Sequence, residues 1–268
     1  AFTCMATVTT TTGCSRTVSG YWWTELVKNR ILNIIVLILL SSFPYLNTLK
    51  GEFVSDDTAI VLHNENVKGK TTLYDIFLNK NAMPLSGEIY RPIRDISYRL
   101  EWLIGGKNPA IYHATNILLH VVTTLAAFWF LRFLIKDDAV SFLAASIFAV
   151  HPIHTESVSW IKGRDDLFFT FFYVLSFIMF LKYEDASDRK RFYFLSSVSL
   201  FILSLFSKEM AVTLPISIAL YQAIFKRFKF YALLPFFIIA AMYMGFAYSV
   251  CSRYKISKAI LSTSISDR

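Results

Sequence analysis

The chain alternates between apolar runs and short polar links, with one long polar stretch after the first run. The runs cover residues 31–49, 109–135, 139–152, 167–183, 192–207, 209–225 and 228–250. Bilayer hydrocarbon needs about 20 apolar residues per helix, and helices satisfy their own backbone there. The pattern predicts an all-α polytopic membrane protein with about seven transmembrane helices. Several runs are short and end in polar residues, which suits helices around a water-accessible site. Residues 50–108 form the first loop. Within it, "LYDIF" places Leu73, Ile76 and Phe77 on one helical face. In "RPIRDISYRLEWLI", Ile93, Ile96, Leu100 and Leu103 recur at helical spacing, with Pro92 suited to the first turn. Both read as amphipathic helices at the membrane surface, and the second could instead dip into the bilayer.

Composition supports this reading: 55% of the 268 residues are apolar, and the mean hydropathy is +0.48. A net charge of +8 suits nucleic acid when spread over a surface, but here the basic residues cluster between apolar runs. Membrane orientation explains them, and no nucleic-acid partner is expected. With a cytoplasmic N-terminus, that face carries Lys28, Arg30, Arg132, Lys136, Lys182, Arg189, Lys190, Arg191, Lys226, Arg227 and Lys229. The short loops opposite carry only Lys162, Arg164 and Lys208. The bias predicts an N-in protein with loop 50–108 and the C-terminus outside. Tyr21, Trp22 and Trp23 read as an interfacial aromatic belt. Residues 1–28 are expected to be a disordered or interfacial leader, 29–250 the membrane module and 251–268 a tail at a fragment end. Cys4, Cys14 and Cys251 are too few and too scattered for a disulfide framework or zinc site.

Four polar clusters fall on the predicted external side. Asp56 and Asp57 in "FVSDDTAIVLHNENV" are either a solvated pair or a general base for a hydroxyl. "YRPIRDISYR" supplies Arg91, Arg94 and Arg99, suited to interfacial snorkelling or to phosphate, which planar guanidinium donors match. "HPIHTESVSWIKGRDD" holds His151, His154, Glu156, Arg164, Asp165 and Asp166. Its spacing fits no standard zinc signature, so pocket polarity is favoured over a divalent metal, and no cofactor is expected. "SKEMAVTLP" holds Lys208 and Glu209, read as a helix-terminal ion pair or as pocket residues. His113, Asn116 and His120 share one helical face at i, i+3, i+7, which points either to the bundle interior or to a transport path. Acids, cations and histidines at one set of span ends suit an enzyme acting on a lipid-phosphate. A transporter or flippase and a non-catalytic scaffold are the alternatives.

"FVSDDTAIVLHNENV", "YRPI", "YHATNILLHVV", "HPIHTESVSWIKGRDDLF" and "SKEMAVTLP", in this order, resemble the transmembrane and tetratricopeptide-repeat O-mannosyltransferase family, of GT-C type. The resemblance runs from about Asn29 to Ser249. It implies a polyprenyl- or dolichyl-phosphate sugar donor, most simply mannose, and a Ser or Thr hydroxyl acceptor on a translocated protein or peptide. It also implies a bacterial inner membrane or endoplasmic reticulum location, with chemistry on the external or luminal face. Carried onto this chain, Asp56 is the expected general base and Asp57 its positioning neighbour. Direct attack by the hydroxyl would invert the anomeric centre. Arg91 and Arg164 are expected to bind the phosphate, by side-chain chemistry and predicted side. Family members continue into further spans and tetratricopeptide repeats, a pattern not found within these residues.

Overall fold

Apolar runs in hydrocarbon must close their backbone hydrogen bonds internally, and this chain does so as helices. The computed structural model describes residues 29–78, 90–226 and 228–266, with side chains of the last helix described to residue 252. The elements are α1 (Arg30–Ser42), α2 (Leu73–Leu78), α3 (Pro92–Gly105), α4 (Pro109–Ile135) and α5 (Asp138–Val150). They continue as α6 (His154–Ser159), α7 (Arg164–Asp185), α8 (Lys190–Ser207), α9 (Leu214–Phe225) and α10 (Phe230–Ser266). Short 3-10 or π-helical pieces cover Phe43–Lys50, Thr58–Leu62, Ile161–Gly163 and Glu209–Thr213. No strand occurs among the described residues. The leader, with Tyr21, Trp22 and Trp23, lies outside them. α10 runs without a break past residue 250, the boundary expected for a tail.

The helix starts follow from local chemistry. Side chains of Asn29, Asn108 and Asp137 accept first-turn N–H groups of α1, α4 and α5, filling acceptor positions a helix start leaves open. Pro92 and Pro109 occupy first-turn positions, where no backbone N–H is needed. Between α4 and α5 the chain reverses at Lys136, in the left-handed region at φ 59°.

Among the described residues, seven helical segments alternate between two ends of the bundle. At one end, the start of α1 and the end of α4 meet at the start of α5, where Arg30 and Arg132 both pair with Asp138. The end of α7 joins the same side of its pair, with Lys226 on Asp185 and Lys229 on Glu184. At the opposite end lie the starts of α4 and α7 and the end of α8. Four segments among the described residues, Arg30–Lys50, Pro109–Ile135, Ile161–Asp185 and Phe230–Ser252, are long and apolar enough to cross a membrane. Asp138–Val150 and Glu209–Phe225 are shorter apolar helices, and α8 packs along α7.

Small residues bring α7 and α8 together. Ser176 Oγ donates to the Ser197 carbonyl at 2.7 Å and Ser197 Oγ returns the bond to Ser176 at 2.8 Å. Ser204 repeats the contact with the Phe169 carbonyl at 3.0 Å. Such reciprocal bonds hold helices where lipid gives no hydrophobic drive to associate. Phe177, Phe180, Phe201, Leu214, Leu233 and Phe236 fill the core among α7 to α10. Leu37, Phe128 and Ala145 join α1, α4 and α5.

Both loop helices form, but α3 is amphipathic in an inverted sense. Arg94, Asp95, Tyr98 and Glu101 are buried against the bundle, while Leu100, Leu103 and Ile104 point outward at 58%, 70% and 78% exposure. An apolar face turned away from the protein and a charged face turned toward it suit a helix lodged at a membrane boundary.

The turn before α7 depends on Gly163. A Cβ there would sit 2.6 Å from Ser157 Cα and 2.7 Å from the Glu156 carbonyl oxygen. We expect Gly163→Ala to destabilise the fold by about 1–3 kcal/mol, read by thermal unfolding in detergent. Gly245→Ala, which meets no atom within 4 Å, should not lower stability. Equal behaviour of the two variants would contradict this packing.

Candidate functional site

The acids and cations of the loop, the α6–α7 link and the α8–α9 link converge at one end of the bundle. Asp56 Oδ2 pairs with Lys162 Nζ. Arg91 bridges Asp165 through Nη1 and Glu209 through Nη2, the latter at 3.3 Å. Arg94 lies 3.5 Å from the same Asp165 oxygen and bonds Asp95 at 2.9 Å. Lys208 pairs with Asp166. Lys208 and Glu209, expected as a helix-terminal ion pair or as pocket residues, thus reach two different partners.

Arg164, expected to bind phosphate, is enclosed instead. Its side chain is fully buried. Nε donates to Asn116 Oδ1 at 2.8 Å, Nη2 to the Tyr112 carbonyl at 2.8 Å, and Nη1 to Ser97 at 3.2 Å and to Glu101. The Tyr98 ring lies 4.6 Å from the guanidinium carbon. Four of the five guanidinium N–H groups are taken, which leaves Arg91 as the guanidinium at the edge of the site. Asn116 also donates to the Trp160 carbonyl at 2.9 Å. The polar face of α4 therefore points inward and ties the α6–α7 link to the bundle.

The two adjacent aspartates have separate environments. Asp57 is 1% exposed. It accepts the backbone N–H of Val54 at 3.2 Å and that of Lys162 at 3.0 Å, so its carboxyl staples the acidic loop to the link before α7. The Asp56 side chain is 38% exposed. Ser55, with φ 50°, precedes the pair and the π-turn Thr58–Leu62 follows it. That tight path turns one carboxyl inward and the other outward.

His151, His154 and Glu156 are not joined to this network by a hydrogen bond or ion pair among the described residues. The His154 ring packs 4.4 Å from Phe148 and 5.3 Å from the buried His120. His120 Nε2 lies 3.0 Å from the Ala149 carbonyl oxygen. Glu156 and His151 are exposed, and His151 Nδ1 accepts the Ile153 N–H at 3.2 Å. Among the described residues, no three His, Cys, Asp or Glu side chains are placed to hold a metal ion.

An apolar groove lies between α8 and α10, and no apolar period in the sequence pointed to it because its walls come from distant helices. A cavity of about 350 Å³ is lined by α8 and α10 residues including Leu205, Phe206, Met242, Tyr243 and Phe246. It shares Tyr243 with a second cavity of about 270 Å³ that reaches Tyr90 and Glu209. The buried Tyr90 hydroxyl has no hydrogen-bond partner among the described residues.

Comparison with known proteins gives a consistent set of relatives. The chain is 36% identical over 200 residues to human protein O-mannosyl-transferase TMTC2, covering 71% of this chain and 24% of that protein. It is 34% identical over 199 residues to the Caenorhabditis elegans protein O-mannosyl-transferase F38B6.6, covering 71% and 28%. Identity to Drosophila melanogaster protein O-mannosyl-transferase Tmtc1 is 34% over 174 residues, covering 63% and 20%. The matched region is about a quarter of the length of these curated relatives. No family model matches the chain, and no solved structure matches it.

Burial pushes the Asp57 carboxyl up to about 6, against an ordinary value of 3.8. A raised folded value means stability that is complete below the ordinary value and is lost as pH rises through about 6. We expect the stability of wild type relative to Asp57→Asn to fall by about 3 kcal/mol from about pH 3.5 to about pH 7. His154, lowered to about 4 by burial and its histidine neighbours, works in the opposite direction and cancels in this difference. Chemical denaturation across that range checks the expectation, and a flat difference would contradict it.

Proposed function

Because the chain belongs to the transmembrane and tetratricopeptide-repeat O-mannosyltransferase family, we propose that its charged end transfers mannose from a polyprenyl- or dolichyl-phosphate donor to protein hydroxyls. The observation that carries this reading is the spacing of two anchors. Lys162 holds Asp56 and Asp165 holds Arg91, and these anchors are three residues apart in one turn of chain. A base and a phosphate ligand are thereby tied to neighbouring positions, with a groove for an apolar tail alongside.

In the proposed reaction the acceptor Ser or Thr oxygen attacks C1 of the sugar. The C1–O bond to phosphate breaks and its electron pair stays on the phosphate oxygen. Asp56 takes the hydroxyl proton, and the anomeric centre inverts. The products are an O-mannosyl protein and the lipid phosphate. A lipid phosphate is already a good leaving group, so the protein supplies a base and stabilises phosphate charge.

Arg91 suits the phosphate because its two partners differ. Asp165 is 2% exposed and keeps the guanidinium in place, whereas Glu209 is 53% exposed at a long 3.3 Å. A phosphate entering from the Tyr90 side displaces Glu209 and keeps Asp165. Arg164 acts one layer behind, fixing the link that carries Lys162. The excess of Lys and Arg at the opposite end supports a cytoplasmic N-terminus and a charged end facing the exterior or lumen.

The test is mannose transfer from a lipid-phosphate donor by the full-length protein. Asp56→Asn is expected to lower turnover by about 10²–10⁴-fold with donor binding retained. Undiminished transfer by that variant would remove Asp56 from the role of base. Loss of donor binding with retained turnover per bound donor would do the same.

A further inference from the structure

The opposite end of the bundle carries a cavity of about 480 Å³ lined by Tyr183, Lys190, Arg191, Phe194 and Leu195. It has no part in the chemistry above. Its cations come from the first turn of α8, and its apolar wall from the next turn of α8 and the end of α7. Lys190 Nζ lies 5.1 Å from the Tyr183 ring centre, which keeps the ammonium above the apolar wall. Lys190 and Arg191 are exposed and take part in no ion pair among the described residues. Two of the nearby acids have partners, Asp185 held by Lys226 and Glu184 by Lys229, while Asp188 is exposed two residues before Lys190. Asp188 stands against three adjacent cations, Arg189, Lys190 and Arg191, so this stretch stays net positive. Beside the cations, Phe192 and Leu195 are 62% and 63% exposed, so the same surface offers apolar contact.

Two uncommitted cations over an aromatic and aliphatic wall, at the end of a membrane helix, match one kind of ligand. We propose that this pocket is a binding site for an anionic phospholipid, with the headgroup phosphate on Lys190 and Arg191 and the acyl chain along Phe194 and Leu195. The occupant is a lipid rather than a free anion because three of the five lining residues are apolar or aromatic. A zwitterionic lipid gains less, since its own ammonium opposes the two cations. Neither the catalytic reading nor the identity of the sugar donor enters this inference.

Native mass spectrometry of the detergent-solubilised full-length protein, titrated with phosphatidylglycerol or phosphatidylcholine of equal chain length, tests it. Two basic side chains near a headgroup give an expected preference for phosphatidylglycerol of about tenfold or more. The double variant Lys190→Gln, Arg191→Gln should bind both lipids alike, while Lys107→Gln, at an exposed lysine at the other end of the bundle, keeps the preference. Both changes fall on exposed side chains, and unchanged thermal unfolding in detergent verifies the fold. Inorganic phosphate at the lipid concentration should not compete. Equal binding of the two lipids by wild type, an undiminished preference in the double variant, or displacement by equimolar inorganic phosphate would each overturn the proposal.

Discussion

A guanidinium taken out of water must find oxygens for its N–H groups, and Arg164 finds them on two separate pieces of chain. Glu101 and Ser97 come from the surface helix α3, and Asn116 and the Tyr112 carbonyl from α4. An unpaired charge at that depth would be severely destabilising, so these pieces have to meet where they do. Once they meet, the rest of the charged end is placed. Arg164 begins α7, so fixing it fixes Lys162 two residues before and Asp165 one residue after. Those two residues hold Asp56 and Arg91.

The consequence is a division of labour between neighbours. Of the adjacent aspartates, Asp57 is used up in backbone hydrogen bonds to Val54 and Lys162, and Asp56 is left outward. Of the arginines, Arg94 and Arg164 lie within the protein, and Arg91 reaches Glu209, which lines the second cavity. In each case the buried member satisfies the fold and leaves its neighbour in a defined position. Burial also explains the chemistry of the inner layer: the carboxyls of Asp57 and Asp95 are both raised by desolvation, as expected where a charged form loses water.

Much of this end was legible in the sequence, and the limits are physical. Apolar runs located the helices, because hydrocarbon length leaves few alternatives, and Pro92 marked the first turn of α3. The motif strings located the acids and arginines. What one-dimensional reading could not give was depth. Arg91 and Arg164 look alike in the chain, yet one reaches the exposed Glu209 and the other is enclosed by Asn116, Glu101 and Tyr112. The signal for Arg164 lay in α4, where Asn116 sits on the inward face with two histidines. Lys208 and Glu209 are adjacent in sequence, but side chains of successive residues diverge, and each found a distant partner. The histidines of the α5–α6 link meet other rings, His154 packing against Phe148 and His120. The inverted face of α3 was half legible, since its apolar spacing was plain but not the direction in which it points.

The central claim is that the donor phosphate sits at Arg91 with its chain in the groove between α8 and α10. Photo-crosslinking tests it most directly, using a polyprenyl-phosphate mannose that carries a diazirine in its first isoprene unit. The account predicts adducts on Tyr90, Phe206, Tyr243 or Phe246 in the full-length protein, reduced in Arg91→Gln. Adducts concentrated instead around Tyr183 and Phe194, at the other end of the bundle, would contradict it.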